Sequence, residues 1–69
     1  MEEKFGDLIK RLREEKGYSI NEFAEKTGFS IVQIKNIEKN VSRPRVYNLN
    51  KIAEALDCTY EYLFNKLNN

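Results

Sequence analysis

The sequence has no histidine, no tryptophan, one cysteine, one proline and three glycines among its 69 residues. Histidine is the side chain most often used as a general base near neutral pH, so its absence removes the commonest device for acid–base and triad chemistry. With Cys58 alone, the chain has neither an internal disulfide nor the ligands of a tetrahedral zinc site. A buried free cysteine behaves as a small hydrophobe. We therefore expect no enzyme activity, no metal, no cofactor and no small-molecule ligand, and a reducing, cytoplasmic location. No apolar run approaches the roughly 18–20 residues that span a bilayer, and the opening Met1-Glu2-Glu3-Lys4 is charged, so neither secretion nor a membrane partner is expected. Strict polar–apolar alternation is missing as well, which argues against a β-sheet.

What is present is enough apolar material, 41% of the residues, for one core. The expectation is a single domain over residues 1–69. A core of this size rarely yields more than roughly 3–5 kcal/mol of net stability, which makes a partner subunit useful. The formal charge is only +1, but it is unevenly spread. From Ser30 to Arg45 the cations Lys35, Lys39, Arg43 and Arg45 meet one acid, Glu38, a local charge of +3 that leaves −2 for the remainder. Such a concentration suits a polyanionic partner.

Helical periodicity organises the whole chain. Phe5, Leu8, Ile9 and Leu12 recur at helical spacing and end at Lys16-Gly17, where glycine suits a left-handed cap. Ser19-Ile20-Asn21-Glu22 reads as a capping box opening a second helix, with Phe23 and Ala24 inward and Thr27-Gly28 as its stop. Ser30-Ile31-Val32-Gln33 repeats that box with an amide in place of the acid. In the third helix Ile34, Ile37 and Val41 are expected to face inward and Val32, Lys35, Asn36 and Lys39 outward, with Asn40 as the left-handed terminator. Val41 to Arg45 contains the only proline, Pro44, and reads as a loop. Val46, Leu49, Ile52, Ala53 and Leu56 predict a fourth helix. After a turn at Asp57-Cys58 and an N-cap at Thr59, the stripe Tyr60, Leu63, Phe64, Leu67 predicts a fifth.

Two short helices joined by a three- or four-residue glycine-containing turn constitute a helix-turn-helix. The first braces across the phosphate backbone and the second enters the major groove, which is wide enough for one α-helix. The register of Phe5-Gly6, Leu12-Arg13, Gly17, Ser19, Phe23-Ala24-Glu25-Lys26, Gly28, Ser30, Ile34, Ile37-Glu38, Pro44, Leu49, Ile52-Ala53, Ala55-Leu56 and Leu63 resembles the XRE/Cro/lambda-repressor helix-turn-helix family. The resemblance implies an all-α, compact five-helix bundle and a small regulator of the phage or mobile-element type that works by occupying DNA. It also implies that Ile31, Val32, Gln33, Lys35 and Asn36 face the DNA, that Ser30 lies near a phosphate, and that Arg43 and Arg45 flank the duplex. Lys39 joins these cations as a phosphate candidate. An internal ion pair between Arg13 and Glu38 is implied too. Double-stranded DNA with a pseudo-palindromic operator is the expected partner, read by a homodimer whose contacts come from Tyr60, Tyr62 and Phe64.

Two departures from the family pattern stand out. Ile20 replaces the glutamine that usually starts the second helix and touches a phosphate, and Ile31 faces it, so an apolar contact is expected to substitute for a hydrogen-bonded one. With Val32 adjacent, the reading surface offers methyl groups suited to thymine, and Asn36 is the candidate for a bidentate adenine contact. The alternative is an antitoxin-like or other protein-binding module that uses the Ile31/Val32 surface. Tyr47 is a lesser phosphate candidate.

Overall fold

The computed structural model describes residues 3–68; Met1, Glu2 and Asn69 of the expected span lie outside the described residues. Five helices follow one another: α1 (Phe5–Glu15), α2 (Ile20–Thr27), α3 (Ile31–Glu38), α4 (Val46–Leu56) and α5 (Tyr60–Leu67). Helices of eight to eleven residues are marginal in isolation, so their ends and their packing must hold them. Ser19, Ser30 and Thr59 each accept a backbone N–H three residues on, at 3.1 Å in all three cases. In α1 the N-cap Lys4 gives no such bond, and a tertiary one takes its place: the Gly6 N–H donates to Asn40 Oδ1 at 2.8 Å.

The four inter-helix exits share one solution. Gly17, Gly28, Asn40 and Asp57 all take a left-handed backbone, with φ between 56° and 78°. Behind each, the next N–H reaches back five residues, from Tyr18 to Arg13, Phe29 to Ala24, Val41 to Asn36 and Cys58 to Ala53. These 6→1 bonds satisfy carbonyls that helix ends would otherwise orphan. In the turn between α2 and α3, Thr27 adds a buried clamp: its hydroxyl donates toward the Phe23 and Ala24 carbonyls and accepts the Phe29 N–H.

Phe23, Ile9, Ile34, Leu49, Ile52 and Leu63 are fully buried at the centre. Helix α3 packs on α1 and α2, and α4 packs on α2 and α5. Gly6 is where α1 and α3 come closest, since a Cβ there would lie 2.2 Å from the Ile37 carbonyl oxygen. Behind that contact Arg13 and Glu38, 6% and 7% exposed, form a two-bond ion pair with Nε–Oε2 2.7 Å and Nη2–Oε1 3.1 Å. A third Arg13 donor reaches the Tyr18 carbonyl at 2.8 Å. The pair holds the Arg13 guanidinium above its ordinary pKa through the hydrogen bonds it donates to Glu38, against the opposing effect of burial.

Three apolar positions differ from expectation. Val41, expected on the inward face of α3, is 71% exposed, because α3 ends at Glu38 and Asn40 redirects the chain before Val41 is reached. Phe64, in the expected apolar stripe of α5 and a dimer candidate, is 36% exposed; Leu63 and Leu67 are buried there, and Tyr60 packs half-buried against the core. Val46 also lies exposed, at the first position of α4.

Removing one member of a buried ion pair costs about 3–5 kcal/mol because the other charge is left unpaired. Glu38→Gln should therefore abolish most of the folding stability, seen as a collapse of Tm in thermal unfolding. Replacing both partners, Arg13→Met with Glu38→Leu, should recover most of it. A Glu38→Gln protein melting within about 0.5 kcal/mol of the parent would show the pair to be energetically idle.

Candidate nucleic-acid interface

The sequence of α3 divides its surface in two. Ile34 and Ile37 are buried, and Glu38 is turned inward to Arg13. On the other side Ile31 is 39% and Val32 65% exposed, Gln33, Lys35 and Lys39 are exposed, and Asn36 is half-buried. Ser30, also exposed, caps the helix, so its hydroxyl and the first turn of α3 stand at the end nearest the α2–α3 turn. Arg43 and Arg45 are exposed on the loop that follows. Nine expected contact residues thus lie on one helix face and the loop behind it.

Charge is sorted along the same line. Glu38, the one acid between Ser30 and Arg45, is sequestered, and among the described residues none of Lys35, Lys39, Arg43 and Arg45 enters an ion pair. The loop is nonetheless anchored, because the Arg43 guanidinium donates to the carbonyl of Leu67 at the end of α5. The outward surface therefore combines the exposed Ile31 and Val32 with the exposed cations Lys35, Lys39 and Arg45 and with Arg43, whose guanidinium is partly engaged by Leu67. Such a surface suits a polyanion that also presents methyl groups.

Ile20 is half-buried and packed on the core, so this position sends no polar group outward at the start of α2. The three aromatics proposed for a dimer fall on two sides of α5. Tyr60 and Phe64 stack with centroids 5.6 Å apart, while Tyr62 lines a groove with Leu12, Leu56 and Cys58. Burial and the neighbouring Asp57 push the Cys58 thiol up, which suits packing better than nucleophilic chemistry. Sequence reasoning missed the exposure of Val41 and Val46, which stand at the two ends of the basic loop. The signal was available in Asn40: a left-handed terminator there takes Val41 off the helix. Among the described residues no helix is long and apolar enough to cross a membrane.

An eight-residue helix buried along one face and bare along the other, reached from a second eight-residue helix through a left-handed glycine, defines a helix-turn-helix protein. A family model described as "Helix-turn-helix" matches residues 9–63, and the chain belongs to that family. It is 39% identical over 62 residues to the HTH-type transcriptional regulator SinR of Bacillus licheniformis, covering 88% of this chain and 56% of that protein. The chain therefore spans little more than half the length of this curated relative. Among solved structures, SinR in complex with DNA superposes with a TM-score of 0.80 at 38% identity, covering 87% of this chain and 97% of that one. The P22 c2 repressor protein in complex with a synthetic operator gives 0.85 at 25% identity, covering 94% and 98%.

Exposure and capping separate the two kinds of residue on α3. Val32→Ala, Lys35→Ala and Lys39→Ala should each leave stability within roughly 0.5 kcal/mol of the parent. Ser30→Ala should cost about 1 kcal/mol through the lost cap. Urea unfolding of the four variants checks this, and a large loss from Val32→Ala would mean that its side chain is packed, not presented.

Proposed function

We propose that the chain is a sequence-specific DNA-binding transcriptional regulator, a repressor that works in the cytoplasm by occupying its operator. The observation that carries this reading is the sorting of α3: its one acid is buried against Arg13, its outward side presents Ile31, Val32, Lys35 and Lys39, and the loop behind it adds Arg43 and Arg45, none of the four cations entering an ion pair among the described residues. Helix α2 crosses the phosphate backbone and α3 lies in the major groove. Ser30, Lys35, Lys39, Arg43 and Arg45 approach phosphates, Ile31 and Val32 meet thymine methyls, and Asn36 pairs with an adenine edge. The relatives that share the fold and 25–38% of the sequence were solved on DNA, which supports the same use here.

A homodimer follows from reach. An eight-residue helix is about 12 Å long and spans about four base pairs, too few to specify a genomic address. The molecule extends 28 Å along its longest axis, less than the ~34 Å between successive major-groove faces on one side of a duplex. Two copies on a pseudo-palindromic site solve both problems, with Tyr60, Tyr62 and Phe64 on α5 as the candidate contacts.

Titrating a duplex selected from a random pool at several salt concentrations tests the reading. Four cations per copy should give a log–log slope of about −3 to −4 for each bound copy. Asn36→Ala should relax discrimination at one base position by roughly 1–3 kcal/mol. A salt-insensitive, weak retention would sink the proposal and favour a protein partner on Ile31 and Val32.

A further inference from the structure

The chain contains two capping boxes of the same geometry that differ in one functional group. In α2 the Ser19 N–H donates to Glu22 Oε1 at 2.9 Å and the Glu22 N–H donates to Ser19 Oγ at 3.1 Å. In α3 the Ser30 N–H donates to Gln33 Oε1 at 2.8 Å and the Gln33 N–H donates to Ser30 Oγ at 3.1 Å. An acid is the better choice for a helix start, because the helix dipole favours negative charge there. Helices α1, α2 and α5 each carry an acid in the first turn, whereas α3 and α4 have none, and of these two only α3 closes a capping box. In α2 hydrogen bonds from Ser19 hold the Glu22 carboxyl below its ordinary range, which favours the charged form. The helix with the exposed cationic and aliphatic face has forgone that stabilisation.

The box also dictates which half of the Gln33 amide is offered outward. A backbone N–H is only a donor, so the atom that meets Ser30 N must be the amide oxygen. The two N–H groups of Nε2 then have no partner among the described residues, on a side chain that is exposed. We infer that Gln33 is a donor-only specificity residue of the recognition helix, contacting an acceptor on the duplex with its Nε2 while its oxygen keeps the helix start closed. The inference rests on the DNA-binding reading above. Reading adenine through two bonds requires one donor and one acceptor from the same amide. The Gln33 oxygen is already held in place by the Ser30 N–H and oriented toward the helix start, so that task falls to Asn36, whose side chain is not tied into a cap. The neutral amide also keeps a carboxylate away from the phosphates that Ser30 and Lys35 would approach.

Full-length Gln33→Glu and Glu22→Gln variants test this against the duplex that the parent protein selects. Gln33→Glu retains the acceptor for Ser30, so its Tm should equal or exceed that of the parent, while its affinity should fall roughly tenfold or more. Glu22→Gln should show no loss of affinity. Parent-like affinity for Gln33→Glu overturns the inference. A second measurement does not depend on that variant: replacing each operator adenine by 7-deazaadenine removes the N7 acceptor. Asn36→Ala should abolish the protein's sensitivity to that replacement at one position, and Gln33→Ala should leave that sensitivity in place. The reverse pattern would assign the adenine contact to Gln33 and overturn the donor-only role. Failure of the parent to select any duplex would instead bring down the DNA-binding reading itself, a result distinct from either of these.

Discussion

The buried pair between Arg13 and Glu38 is the constraint on which the rest of the molecule depends. Its energetic merit as a bond is modest, since taking two charges out of water offsets most of their mutual attraction, and a well-packed apolar pair often does as well. Its consequence is spatial. By drawing the acid at the end of α3 inward, it ties that helix to α1 and leaves the opposite face without an acid. The third Arg13 donor, on the Tyr18 carbonyl, extends the tie to the exit from α1, so one guanidinium joins α1, its C-terminal turn and α3. An apolar substitute could fill the same volume without fixing this register.

Around that joint, the fold is assembled from short helices whose ends are resolved one by one. Every exit uses a left-handed residue followed by a bond reaching back five positions, and only two of the four left-handed residues are glycine. Asparagine and aspartate tolerate that conformation at some cost. At position 40 asparagine gives something glycine cannot, because its side chain accepts the Gly6 N–H and so caps α1 from across the core. Close approach at Gly6 and the cap from Asn40 are two parts of one contact between α1 and α3. That contact sets where the basic loop leaves α3, and with it the placement of Arg43 and Arg45.

Much of the candidate interface was legible from residue order. Serine followed three residues later by glutamate or glutamine marks a helix start because the reciprocal bonds are local, and α2 and α3 begin where those signals stand. The cationic stretch was equally readable, since charge is carried by residue identity. Val41 was misplaced because helical periodicity was extended past Asn40, although the terminator was already in view. Phe64 and Tyr62 could not be placed by periodicity alone. In a short helix that packs mainly on α4, the fully buried arc narrows to two positions, and which two depends on the angle at which α4 meets α5.

The sequence by itself determined the five helices, their caps, their left-handed ends and the uneven distribution of charge, because each of these is settled by residues within about five positions of one another. The inward turn of Glu38 to Arg13 was implied by the family resemblance, whereas tertiary structure alone decided that Asn40 caps a helix thirty-four residues distant and that Arg43 is held by the last turn of α5. These depend on how helices cross, which is set by the volumes of the side chains between them and has no signature within a local stretch of chain.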